Sequence, residues 1–298
     1  MGLDLGRSIA WPLRSAALGV ISATRFLVRD GVGLAGLSIV LAMTMIAVFV
    51  GYLPIPDPNS MDFARFLPPS WSHPFGTDNY GRDVFSRVLW GARVSLAVGL
   101  AAALSASLLG SVVGVVAGVW GGWVDEALSR VVEVFMMMPT FFLALVIVVL
   151  VGPSIYNIIL VIAIASWPAV ARVVRAQAMS LRELPYVEAA IALGASRRRI
   201  MLRHVLPGLA PLIVSYTVLL VSGAMLTEAG LSYLGLGDPN YPSWGRLIRD
   251  GQLLLLRAWW VSAFPGIFLT LTVLGWNFLG DTLVKYANPR RRSGQLSL

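Results

Sequence analysis

Cysteine is absent from the 298 residues, which excludes disulfides and thiolate metal sites. There is one lysine, Lys285, and Tyr286 follows it, so the lysine and serine or threonine of a Walker phosphate loop are missing and no nucleotide is expected to be hydrolysed on this chain. The two histidines, His73 and His204, lie far apart and form neither a metal-ligand pattern nor the H-E-x-x-H of a metalloprotease, so neither a metal nor a catalytic residue is expected. Charge is scarce as well: 13% of residues are charged, where soluble domains carry about a quarter. Of all residues 57% are apolar, more than one soluble core of this length can bury, and a membrane takes the excess. The net charge of +8 sits at the ends of apolar runs rather than on one face, which points to membrane orientation and away from nucleic acid.

A helix needs about 20 mostly apolar residues to cross the hydrocarbon. Uncharged runs predict six spans, near 31–56, 94–124, 134–151, 155–171, 208–232 and 258–280. The third and fourth come from one long run divided by Gly152-Pro153-Ser154 and Asn157. An even number puts both termini on one side. The arm 1–30, Arg130, the 172–203 connection and the tail hold sixteen basic residues, against six in 57–90 and 234–257. By the positive-inside rule the termini are cytoplasmic. The expected organisation is therefore a cytoplasmic arm 1–30 and a transmembrane domain 31–298. That domain would have external segments 57–90 and 234–257, a cytoplasmic loop 172–207 and a cytoplasmic tail 282–298. Residues 8–29 could lie on the inner leaflet as a surface helix, and the first span reads as an uncleaved anchor.

The loop at 183–207 has hard edges. Pro185 suits a first helical turn, and Glu188 lies near the positive dipole end. Gly194 can close the helix in the left-handed region, and Ser196 can cap the next one, with Pro207 before the return to the membrane. From physics alone this is either a docking element or a basic loop held by lipid headgroups.

Glu188-Ala189-Ala190, three residues, Gly194 and then Leu206-Pro207 resembles the EAA loop of ABC importer permeases, with His204 where that family has isoleucine. The resemblance implies a coupling helix over about Leu184 to Gly194 that fits a cleft on a cytoplasmic ATPase, Glu188 offering a charge-assisted bond. His73 to Asp83, with Gly76, Asp78, Gly81, Arg82 and Asp83, is similar to the segment before span two in oligopeptide/dipeptide permeases. Leu231 to Gly237, followed by Pro242-Ser243-Trp244-Gly245, is similar to a second stretch of them. The order of motifs resembles the C-type subunit of that family's two paired permeases. A plainer reading of the external residues is structural: Gly76 and Gly81 turn the chain, Asp83 caps span two and Arg82 pairs with Asp78.

The resemblance implies an all-α membrane protein of the type I ABC importer permease architecture, multi-pass in the inner membrane of a prokaryote. It also implies a related second permease, two ATPases that hold ATP and magnesium, and an external substrate-binding protein. No cofactor is expected on this chain. Short peptides are the implied substrate, with oligosaccharides, nickel chelates or glutathione as alternatives. A channel or scaffold without ATP coupling is the reading from another class. Gly110, Gly114, Gly118 and Gly122 repeat every four residues, as a packing seam or a sliding surface would. Glu228 in span five should face protein or water, bonding a neighbouring helix or lining the path. Met136 to Met138 suit either packing or an adaptable pathway.

Overall fold

The computed structural model describes residues 30–287. The expected surface helix at 8–29 and the end of the tail lie outside that range. The regular structure of the described residues is helical, with a long non-helical segment at 53–83 that carries an isolated bridge between Thr77 and Asp83. In chain order the helices are α1 Gly31–Phe49, α2 Val84–Trp120, α3 Gly122–Met136, α4 Thr140–Val151 and α5 Ile155–Arg182. Then follow α6 Pro185–Ala192, α7 Arg197–Ile200, α8 Leu206–Tyr233, α9 Trp244–Gln252, α10 Leu255–Ala258 and α11 Trp260–Ala287. Among the described residues five helical stretches are long and apolar enough to span a membrane, and the number is six when the bent pair α3/α4 is counted as one span.

Glycines set how closely the spans approach. A Cβ on Gly110, Gly114 or Gly118 would lie 2.5–2.7 Å from atoms of Trp167, Ala171 and Ala178, so α2 and α5 pack backbone to backbone. Gly36 on α1 and Gly275 on α11 make a second such crossing. Asp30 caps α1, accepting from Val32 N–H at 3.4 Å, and its carboxylate also takes the Thr282 hydroxyl of α11 at 3.0 Å. The main core joins α1, α2, α4, α5, α8 and α11 with Trp244 of α9. A smaller core joins α2, α5 and α8 to α6 and α7.

Several span limits differ from those expected. The second span begins at Val84 rather than near residue 94: Asp83 caps the helix there, exposed Arg93 lies within it, and Arg87 is paired with Asp78 and Asp250. It ends at Trp120 because Gly121 and Gly122 take positive φ (64° and 56°). Gly122 therefore leaves the glycine ridge and starts α3, with open space around it. The expected third span is a broken one: α3 and α4 meet at 82° across Met137, Met138 and Pro139, and α3 reaches back over Asp125, Glu126 and Glu133. The first span stops at Tyr52, the fourth continues to Arg182 and the sixth begins at Trp260. The fifth extends from Arg197 to Tyr233 through a π-helical turn, Met201–Val205, so Pro207 lies within it.

Candidate functional site

At one end of the bundle α6 stands out from the spans. Pro185 occupies its first turn and Glu188 carries a negative charge there. The closure is a Schellman motif: Ala195 N–H donates to Ala190 O at 3.0 Å and Gly194 N–H to Ile191 O at 2.9 Å, with Gly194 at φ +83°. Ser196 Oγ then accepts from Arg199 N–H at 3.4 Å and opens α7. Val187 is fully buried in the cluster of Val170, Val174, Ala178, Ile200, Val205 and Leu209, which bolts α6 to α5 and to the α7–α8 stretch together. The other face is open. Leu184, Tyr186, Ile191 and Leu193 are exposed, Leu193 at 89%, beside exposed Glu188 and Ala189 and half-buried Ala190. The result is a rigid, mostly apolar knob with one carboxylate. Leu206 and Pro207 sit one element away, exposed at the start of α8. The Tyr186 and His204 rings face each other at 6.1 Å.

The opposite end holds the other motif residues, and they bond one another. Asp78 is the hub. Its carboxylate accepts from Arg82 Nε at 2.7 Å, Arg87 Nη1 at 2.8 Å and the N–H groups of Tyr80 and Arg82. Arg87 also reaches Asp250 of α9 at 3.4 Å. Asp83 caps α2 through Ser86 N–H at 2.8 Å and meets His73 Nδ1 at 2.9 Å. Gly76 and Gly81 have φ of +70° and +79° and lie against the carbonyls of Leu67 and Phe63. Trp244 is wholly buried, and its Nε1 donates to Val88 O at 2.9 Å. Glu228 is enclosed too, accepting from Ser232 Oγ at 2.6 Å and Ser95 Oγ at 3.2 Å, while Ser95 Oγ accepts from Trp244 N–H. These side chains brace the bundle and present no open charged surface.

Two hollows lie along the spans. A cleft of about 520 Å³ runs beside the α3/α4 bend, with Met136, Met137, Glu133 and Arg172 on its walls. Arg175 of α5 holds Asp125 of α3 at its edge, Nη2 to Oδ2 at 2.7 Å. A groove of about 680 Å³, almost wholly apolar, lies between α2, α8 and Trp276 of α11.

Comparison with known proteins places this architecture. Residues 110–293 match the family described as "Binding-protein-dependent transport system inner membrane component". The chain belongs to this family. The dipeptide transport system permease protein DppC of Alkalihalophilus pseudofirmus is 38% identical to the permease over 279 residues, covering 91% of this chain and 90% of that one. A glutathione transport system permease protein, GsiD of Pectobacterium atrosepticum, is 37% identical over 272 residues, covering 90% of each. The methionine ABC transporter MetNI, in an inward-facing form, shares the fold with a TM-score of 0.56 at 21% identity over 68% of the permease and 96% of that chain. The permease is thus an all-α, multi-pass membrane subunit of the ABC importer type.

Three residues of this permease escape a reading along the chain. Arg87 and Asp250 are 163 positions apart, and Ser95 lies in an apolar run with no sign of its bond to Glu228. The one available signal was Arg87 itself, a charge four residues after a capping aspartate.

Proposed function

We propose that this chain forms half of the translocation pathway of an ATP-driven importer for short peptides, paired with a related permease in a prokaryotic inner membrane. Its termini and α6 face the cytoplasm, two ATPases carrying ATP and magnesium bind there, and an external binding protein delivers the substrate. The observation that carries this reading is the shape of α6: an exposed apolar helix with a single carboxylate, fastened through Val187 to two spans at once. An ATPase cleft gripping Leu184, Tyr186 and Ile191, with a basic group at Glu188, would move α6 as a rigid piece. Because α6 is packed against α5 and α8 together, that motion would rock the spans between inward-open and outward-open states. The dipeptide and glutathione relatives favour a peptide-like ligand.

The experiment perturbs α6 alone. Gly194→Val forces a β-branched residue into φ +83° and removes the helix stop. Glu188→Lys reverses the exposed charge. Copurification of the ATPases, hydrolysis stimulated by the loaded binding protein, and vesicle uptake are measured for each variant. Uptake is expected to fall at least tenfold, with the ATPases released or no longer stimulated. Both variants behaving like the unmodified complex in all three assays would sink the coupling role.

A further inference from the structure

The groove between α2 and α8 is lined along α2 by Leu104, Leu108 and Val112 and along α8 by Leu206, Val214 and Val218. Leu104, Leu108, Val112 and Val214 are each more than half exposed, so the walls are unpartnered in this chain. The volume of about 680 Å³ lies within the ~300–1,000 Å³ range of small-molecule sites. One observation says what fits. At one end the lining passes to Met201 and Leu202, which directly follow α7 with its exposed Arg198 and Arg199. Arg197, Arg198, Arg199 and Arg203 are all exposed, and none makes an ion pair among the described residues.

We propose that this groove binds an anionic phospholipid, its acyl chain along the α2 and α8 walls and its phosphate at Arg198 and Arg199. Charge selects the headgroup, because unpaired arginines beside a membrane groove attract anionic lipid. The inference needs only the membrane spans, not the peptide reading, so the two can fail separately.

Ala210 is exposed on α8 between Leu206 and Val214, and the chain has no native cysteine, so Ala210→Cys carries a bimane at the groove's rim. The labelled full chain, with the subunits that copurify, goes into bilayers containing brominated phosphatidylglycerol or brominated phosphatidylcholine with identical acyl chains. A bimane at Val146→Cys, on exposed α4, is the control. The anionic lipid is expected to half-quench the Ala210 label at a several-fold lower mole fraction than the zwitterionic one, with no preference at Val146. Arg198→Gln with Arg199→Gln, both at exposed positions, should abolish the preference. Equal quenching by both lipids, or a preference that survives the arginine changes, overturns the proposal. No quenching by either lipid overturns it too, and shows that another protein chain or an aqueous path covers the groove.

Discussion

Gly114→Ala adds one methyl group where α2 meets α5. The built Cβ stands 2.5 Å from Ala171 O, 2.9 Å from Val174 Cβ and 3.0 Å from Arg175 N. Two of these are main-chain atoms of a packed span and cannot rotate away, so relief requires α5 to move by about 0.5–1 Å. A gap of that size forfeits a quarter to a half of each dispersion contact along the seam, and overpacking of this kind costs about 1–3 kcal/mol. That is a factor of roughly 5–150 in the folding equilibrium, since ~1.4 kcal/mol is tenfold. Gly110→Ala meets Trp167 O at the same 2.5 Å and should match it. Gly223→Ala is the control: it lies within α8 with nothing within 4 Å of its Cβ, so it should be neutral or stabilising by up to ~1 kcal/mol. Thermal unfolding of detergent-purified protein, followed by monodispersity after heating, ranks the variants. If Gly110→Ala and Gly114→Ala survive heating as well as Gly223→Ala, close approach of α2 and α5 is not what holds the bundle.

Two further outcomes are expected. Single cysteines at exposed Ser72 and Asn240 should react with impermeant thiol reagents from outside intact cells, whereas one at exposed Ser196 should react only after permeabilisation; external labelling at Ser196 in a working complex reverses the orientation. Glu228→Gln keeps an acceptor for the Ser232 and Ser95 hydroxyls and should retain most uptake, while Glu228→Leu strands both and should lose about 1–3 kcal/mol of stability. Loss of uptake in a well-assembled Glu228→Gln complex would point to a charge role for that carboxylate.

Local chemistry made much of this protein legible along the chain. Uncharged runs bounded by charge or by Gly152-Pro153 announce spans because hydrocarbon accepts little else. The edges of α6 follow from Pro185, Gly194 and Ser196, each of which acts on backbone within a few residues of itself. The spacing of Gly110, Gly114 and Gly118 marked one helix face, and Asp83 marked a cap.

What the chain could not announce are the places where a distant residue changes the rule. Arg87 lies buried inside α2, paired with Asp78 at 2.8 Å and also with Asp250, 163 positions away, at 3.4 Å, and that second partner is invisible along the chain. Asp125 and Glu133 read as a boundary, yet Arg175 of α5 holds Asp125 and lets α3 pack against the bundle before the chain turns by 82°. Gly122 fits the four-residue repeat but falls beyond the bend at Gly121, where the helix axis no longer carries it toward α5. Glu228 looked exposed to choice between a path and a partner; Ser95 and Ser232 enclose it, and Ser95 belongs to a helix 133 residues away. Apolar length and backbone punctuation are properties of neighbouring residues, whereas the neutralisation of a buried charge depends on which helices meet, and only the packed bundle decides that.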